Sequence, residues 1–296
     1  MSSAAAALRR RPASRCLAIA AWFSVLLLPM LSPATGRAAE CDLETGEEDL
    51  QVEDVIDGDT LLLDDGREVR LTGIQAPKLP LGRAGFESWP KAEEARQALA
   101  AFVASKTITL KYGGARIDRH GRILAHVFAG QGQEALWLQR EMLRAGLARV
   151  YTFPDNRACA SELLEAERSA RRAGLEIWQD PFYDFRDASN EALLGERVGR
   201  FELVEGEISS AVLVRGRIYL NFGDDYREDF TVTVNDKNAR LFLEHEPWSS
   251  LLSTDDEAAS VLSGQRIRVR GWVDRYNGPE ISATHPEEIE LLERNN

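Results

Sequence analysis

The chain has 296 residues, 44% of them hydrophobic and 28% charged, with 36 basic against 48 acidic residues and a formal charge of −12. Such a length and composition allow a buried core and more than one domain, and exclude a disordered, collagen-like or multi-spanning chain. The acidic balance excludes a broad basic surface for nucleic acid. Three cysteines and four scattered histidines exclude a zinc-finger array and a disulfide-dense miniprotein.

Arg9, Arg10, Arg11 and Arg15 precede an apolar run at residues 16–31, and small residues follow as far as Ala39. The run is shorter than the roughly 20 residues a spanning helix needs. Residues 1–38 therefore read as a secretory signal peptide, with cleavage after Ala38 or Gly36, and an uncleaved anchor as the alternative. The mature chain would be periplasmic or secreted and free of transmembrane helices. Without residues 1–38, which hold five arginines and no acid, the formal charge moves to −17. Two cysteines remain, Cys41 and Cys159. In an oxidising compartment a pair is more often bridged than free, so a disulfide is expected, with two separate thiols as the alternative.

Hydrophobic and polar positions alternate over residues 51–75 and are interrupted at Asp57-Gly58 and Asp65-Gly66, which predicts three antiparallel strands joined by hairpin turns. A loop rich in Pro and Gly spans 76–90, and Pro90 opens a helix with Ala92, Ala95, Leu99 and Phe102 on one face. Residues 107–112 and 122–128 read as strands. Helices are expected near 133–145, stopped by Gly146, and near 157–172. Residues 181–200 are polar and read as a linker. From Phe201 the strand pattern restarts, at 201–208, 217–222, 229–234, 266–273 and 280–283, with 240–262 part helix and part loop. The expected class is α+β, mainly β with helices. A five-stranded Greek-key barrel of the oligonucleotide/oligosaccharide-binding (OB) type occupies 39–180, and a second OB-like barrel occupies 201–294. No sequence repeat relates the halves.

The first domain also carries an ordered set of motifs. Val55-Ile56-Asp57-Gly58-Asp59-Thr60 is followed by Arg70, eleven residues after Asp59, and by Gly73-Ile74-Gln75-Ala76-Pro77. Asp118-Arg119-His120-Gly121-Arg122, Ala145-Gly146-Leu147-Ala148 and Gly174-Leu175-Glu176-Ile177-Trp178 come next, in that order. Over residues 51–178 this set resembles the thermonuclease family, secreted calcium-dependent nucleases built on a five-stranded barrel with three helices. In that family two aspartates and a main-chain carbonyl hold calcium, a glutamate primes the attacking water, and two arginines stabilise charge on the phosphate. Hard oxygen ligands suit calcium, and cations supply the electrostatic stabilisation that dominates phosphoryl chemistry.

The resemblance implies Asp59 as the first calcium aspartate with Asp57 in support, and Arg70 and Arg122 as the phosphate-clamping arginines. It places Arg119 and His120 at further phosphate and nucleotide contacts, and Tyr151 and Phe153 near the base-stacking aromatics, with core packing as their alternative. Two positions depart from the family. Gln75 stands where the second calcium aspartate belongs, and Lys78 stands where the glutamate belongs. A protonated lysine cannot take a proton from water, and loss of a positioned base forfeits about 10²–10⁴ in rate. With Arg70 and Arg122, Lys78 would surround a phosphate-sized hole with three cations. Glu87, Glu93 and Glu94 are the candidate substitute bases.

In the second domain Tyr219, Phe222, Tyr226 and Arg227 could form a stacking surface, against which the interleaved acids argue. Arg266, Arg268 and Arg270 alternate along one strand, either as an anion-binding face or as an ordinary charged exterior. Three functions are expected from these residues: a nucleic-acid phosphodiesterase with a degraded site and weak or absent calcium dependence, a non-hydrolytic phosphate- or nucleotide-binding pseudoenzyme, or an envelope interaction module.

Overall fold

The computed structural model describes residues 41–251 and 261–293, so the expected signal peptide lies outside the described residues. β2 (Val52–Asp57), β3 (Thr60–Leu63) and β4 (Glu68–Leu71) form the expected antiparallel meander, with β1 (Glu44–Thr45) preceding them. Its inward positions, Val55, Leu61, Leu63, Val69 and Leu71, are buried, as the period-two pattern requires. Gly73 sits at φ +84°, a left-handed conformation that turns the chain out of β4. The next strand, β5 (Gly73–Gln75), leaves the meander and pairs with β9 (Arg149–Tyr151).

α1 (Ala92–Val103) buries Ala92, Ala95 and Leu99 as expected, and Val103 rather than Phe102 completes that face. β6 (Ile108–Tyr112) pairs with β1 and with β7 (Ile123–Ala129), and β7 runs parallel to β4. Reciprocal hydrogen bonds of 2.9 and 3.0 Å between Leu50 and Ile108 close the ring of β2, β3, β4, β7 and β6 into a barrel. The helix expected at 133–145 is shorter. Leu136 and Trp137 form β8 (Leu136–Trp137) against β7, and α2 (Leu138–Arg144) begins only afterwards. α3 (Ala160–Arg172) follows Cys159, which is disulfide-bonded to Cys41 with the two Cα atoms 4.7 Å apart.

That bond closes a loop of 118 positions. Replacing both cysteines with serine is expected to lower stability by about 4–5 kcal/mol in the chain-entropy description. The check is the urea midpoint of the double variant against that of the oxidised protein.

The second barrel uses one bent run as its first strand. β11 (Phe201–Glu207) pairs with β15 (Arg266–Arg275), while the same run continues as β12 (Ser210–Val214) and pairs with β13 (Arg217–Asn221). β14 (Thr231–Val234) lies beside β13 and, in parallel, beside β16 (Pro279–Ala283), which pairs back onto β15. Both barrels therefore share the strand order 1-2-3-5-4, a parallel pair between the third and fifth strands, and helices between the third and fourth. In the second barrel those helices are α5 (Asp236–Leu243) and α6 (Trp248–Leu251). β10 (Arg186–Asp187) and β17 (Ile289–Leu291) widen this sheet. The fold is mainly β with helices, as two OB-type barrels, and each barrel has its own apolar core.

Residues 181–200, expected as a linker, carry the short helix α4 (Glu191–Glu196) and are packed in place. The Tyr183 hydroxyl donates to the Pro90 carbonyl at 2.7 Å, Arg186 donates to Glu202 at 3.1 Å, and Leu194 is buried. Between the barrels, Thr152 Oγ1 lies 2.7 Å from His285 Nε2, and Arg157 pairs with Glu287 at 2.8 Å.

The arginines of the stripe on β15 face carboxylates. Arg270, 1% exposed, donates to both oxygens of Glu167 on α3 and to Glu290, while Arg268 and Arg266 pair with Glu205. Carboxylates already satisfy these cations. Tyr219 and Tyr226 do line a cleft, with Tyr276, Asp229 and Glu280, and among the described residues no lysine or arginine lines it. Among the described residues no helix is long and apolar enough to cross a membrane.

Candidate active site

The β2–β3 hairpin brings Asp57 and Asp59 to one end of the first barrel. The turn lies tight against its surroundings. A Cβ at Gly58 would stand 2.7 Å from the side chains of both Ala76 and Ala95, so only glycine lets the hairpin seat on the β5 loop and α1. Asp59 is completely buried and Asp57 nearly so. Asp59 Oδ2 accepts the Ala76 amide at 2.7 Å, Oδ1 accepts the Thr60 hydroxyl at 3.2 Å, and the Asp59 amide donates to Asp57 Oδ1 at 3.1 Å.

Two cations complete this cluster. The Arg70 guanidinium, carried on β4, lies 3.2 Å from Asp59 Oδ2. Its Nη1 and Nη2 also donate to the carbonyls of Leu71 and Ile74, each at 2.6 Å. Lys78 Nζ donates to Asp59 Oδ1 at 2.6 Å, Asp59 Oδ2 at 2.7 Å and Asp57 Oδ2 at 3.1 Å. The expectation that Lys78 joins Arg70 and Arg122 around an open phosphate-sized hole is thus corrected. Two buried carboxylates attract the ammonium inward more strongly than solvent does.

Burial pushes the Asp57 carboxyl above its ordinary pKa, and the adjacent Asp59 charge adds to the rise. Burial acts on Asp59 in the same direction, but Arg70 and then Lys78 outweigh it and hold this carboxyl well below the usual range.

The remaining expected residues make other contacts. The oxygen of Gln75, Oε1, accepts from Arg149 Nε at 3.0 Å and Nη2 at 2.8 Å, and so does not join the aspartates. Arg149 is fully desolvated, which lowers its pKa to about 10, and its guanidinium stands 4.7 Å from the centre of the Phe201 ring. Sequence reading missed Arg149. The available signal was a cation placed among Leu147, Ala148 and Val150, which are all buried.

Arg122 precedes β7 and is paired with Asp118 at 2.7 Å. Asp118 also organises the turn by accepting the amides of His120 at 2.8 Å and Arg122 at 3.0 Å. Arg119 and His120 are exposed there, Arg119 Nε donating to His120 Nε2 at 3.2 Å, so the turn presents the Arg119 cation to solvent. Tyr151 packs edge-on against Phe153 and Phe201, and its hydroxyl accepts from Trp272 of the second barrel at 3.1 Å. Phe153 remains exposed. Among the candidate substitute bases, Glu93 is bound by Arg96 and Gln97, and Glu94 by Lys91. Glu87 lies exposed in the loop before α1.

The donor set does not fit calcium. That ion takes six to eight oxygens at about 2.3–2.6 Å. Here Lys78 lies against three of the four carboxylate oxygens of Asp57 and Asp59, and Arg149 holds the oxygen of Gln75. Among the described residues no group of three or more His, Cys, Asp or Glu side chains is arranged to hold a metal.

Comparison with known proteins agrees with the fold. The pattern of the staphylococcal nuclease homologue family matches residues 68–180. A thermonuclease of Staphylococcus intermedius is 30% identical over 131 residues, covering 43% of this chain and 74% of that protein. A thermonuclease of Staphylococcus hyicus is 26% identical over 137 residues, covering 45% and 78%. A probable endonuclease, LCL3, of Komagataella phaffii is 31% identical over 116 residues, covering 37% and 48%. At 30% identity to a thermonuclease of which it covers 74%, and with the family pattern over residues 68–180, the chain belongs to the staphylococcal nuclease homologue family.

Proposed function

We propose that the chain is an exported nuclease homologue that no longer hydrolyses phosphodiesters by its family's calcium-dependent route, and that it binds phosphate or nucleotide without cleavage. One observation carries this reading: the Lys78 ammonium donates to both site aspartates. The resemblance puts this residue at the water-priming position, where an ammonium has no lone pair with which to accept a proton from water. Anion contact falls to the solvent-facing turn of Arg119, His120 and Arg122, where Arg122 keeps 29% of its side chain exposed. Export is supported by the arginine-led apolar start of the sequence and by a disulfide that suits an oxidising compartment.

The test is a cleavage assay on single-stranded DNA and RNA in millimolar calcium, beside equilibrium dialysis of a nucleoside bisphosphate. The expected outcome is no cleavage above that of Arg70→Ala, together with saturable binding weakened about tenfold in Arg122→Ala through loss of one charge-assisted contact. Calcium-dependent cleavage by the unaltered chain that disappears in Arg70→Ala would overturn the proposal.

A further inference from the structure

We infer that the Asp57–Asp59 pocket is a cation site whose cation belongs to the chain itself: the Lys78 ammonium takes the place of a divalent ion and makes the pocket independent of metal. The charges balance without any ion, since Asp57 and Asp59 face Lys78 and Arg70. An ammonium has three N–H donors and no acceptor. Lys78 Nζ finds three carboxylate oxygens, at 2.6, 2.7 and 3.1 Å, so its donor capacity matches the acceptors in the pocket.

The lysine is also held from behind. The Trp89 amide donates to the Lys78 carbonyl at 2.9 Å, which fixes the loop from which the side chain reaches inward. Only 19% of that side chain is exposed. A divalent ion entering the pocket would have to displace this ammonium, because two cations sharing the same carboxylate oxygens repel at short range and low dielectric. Gln75 supplies no compensating charge, being neutral and bound to Arg149.

This inference rests on the same geometry as the proposed function, but its readouts are metal binding and melting temperature rather than cleavage, so either can fail alone. The full mature protein is titrated with calcium chloride while its melting temperature is followed, and with terbium, a luminescent calcium analogue. The wild-type melting temperature is expected to stay constant, with no saturable terbium signal. Lys78→Ala is expected to melt lower in EDTA and to regain stability as calcium is added. Its calcium affinity should exceed that of the wild type by at least about tenfold, from removal of one unit of like charge. Adding Asp59→Asn to Lys78→Ala should abolish that calcium response. Should Lys78→Ala fail to fold, Lys78→Gln, which keeps most of the stem, takes its place, and the wild-type titration is decisive without either variant. Saturable stabilisation of the wild type by calcium, or a Lys78 variant indifferent to it, would overturn the inference.

Discussion

Arg270→Met is expected to destabilise the protein by about 3–5 kcal/mol, the usual cost of removing one partner from a buried ion network. Arg270 reaches from β15 of the second barrel to Glu167 on α3 of the first, at 3.0 Å through both nitrogens, and to Glu290 at 2.6 Å. Its Nη1 also donates to the carbonyl of Val150 at 3.2 Å. Burial opposes charge on this guanidinium, but Glu167 and Glu290 hold it protonated.

Without Arg270, Glu167 is left wholly buried with Arg171 at 3.3 Å and the Val150 amide at 2.5 Å. The loss therefore comes chiefly from a buried carboxylate left with fewer donors, and neutralising it should return much of the stability. Arg270→Met/Glu167→Gln is expected to unfold at a higher urea concentration than Arg270→Met alone. The exposed pair Arg240–Glu244 provides the contrast, where Arg240→Ala should leave the urea midpoint nearly unchanged, because solvent already screens that pair. A cost below about 1 kcal/mol for Arg270→Met would show that this network does not join the barrels.

Lys78→Glu is expected to create calcium-dependent cleavage of single-stranded DNA, about 10²–10⁴-fold above the wild-type background, by placing a carboxylate where the family resemblance puts the water-priming glutamate. The same change removes the ammonium from Asp57 and Asp59 and so frees their oxygens. Gln75→Asp alone is expected to do nothing for cleavage. Arg149 approaches position 75 at 2.8 and 3.0 Å and would pair with the new aspartate there. Lys78 is thus the dominant block, and Gln75→Asp/Lys78→Glu should exceed Lys78→Glu by less than Lys78→Glu exceeds the wild type. Initial rates with calcium and with EDTA, alongside circular dichroism to establish folding, decide the matter. A folded double variant without calcium-dependent cleavage would refute the placement of these residues at the catalytic position.

Much of this was legible from neighbouring residues. Alternation over 51–75 and two Asp-Gly turns predicted the meander, and the five strands expected after Phe201 all formed, with shifted ends. The shortened helix at Leu138 was not legible, because Leu136–Trp137 is extended through pairing with β7 rather than through its own propensity. The shared strand order of the barrels was hidden as well, since topology survives without any sequence repeat to announce it. The spacing of Asp59, Arg70, Gln75 and Lys78 carried a family resemblance, but not where the side chains point. Lys78 was expected beside a phosphate and instead lies against Asp59, 19 positions earlier in the chain.

The sequence by itself determined the strands, the hairpin that carries the aspartates, and the family. All of these depend on residue type and on spacing between near neighbours. Only the tertiary structure decided which charges meet: Lys78 with Asp57 and Asp59, Gln75 with Arg149, and Arg270 with Glu167 across 103 positions. Ionic partners are selected by distance and desolvation after the barrels have packed, and neither quantity is written in the order of the residues.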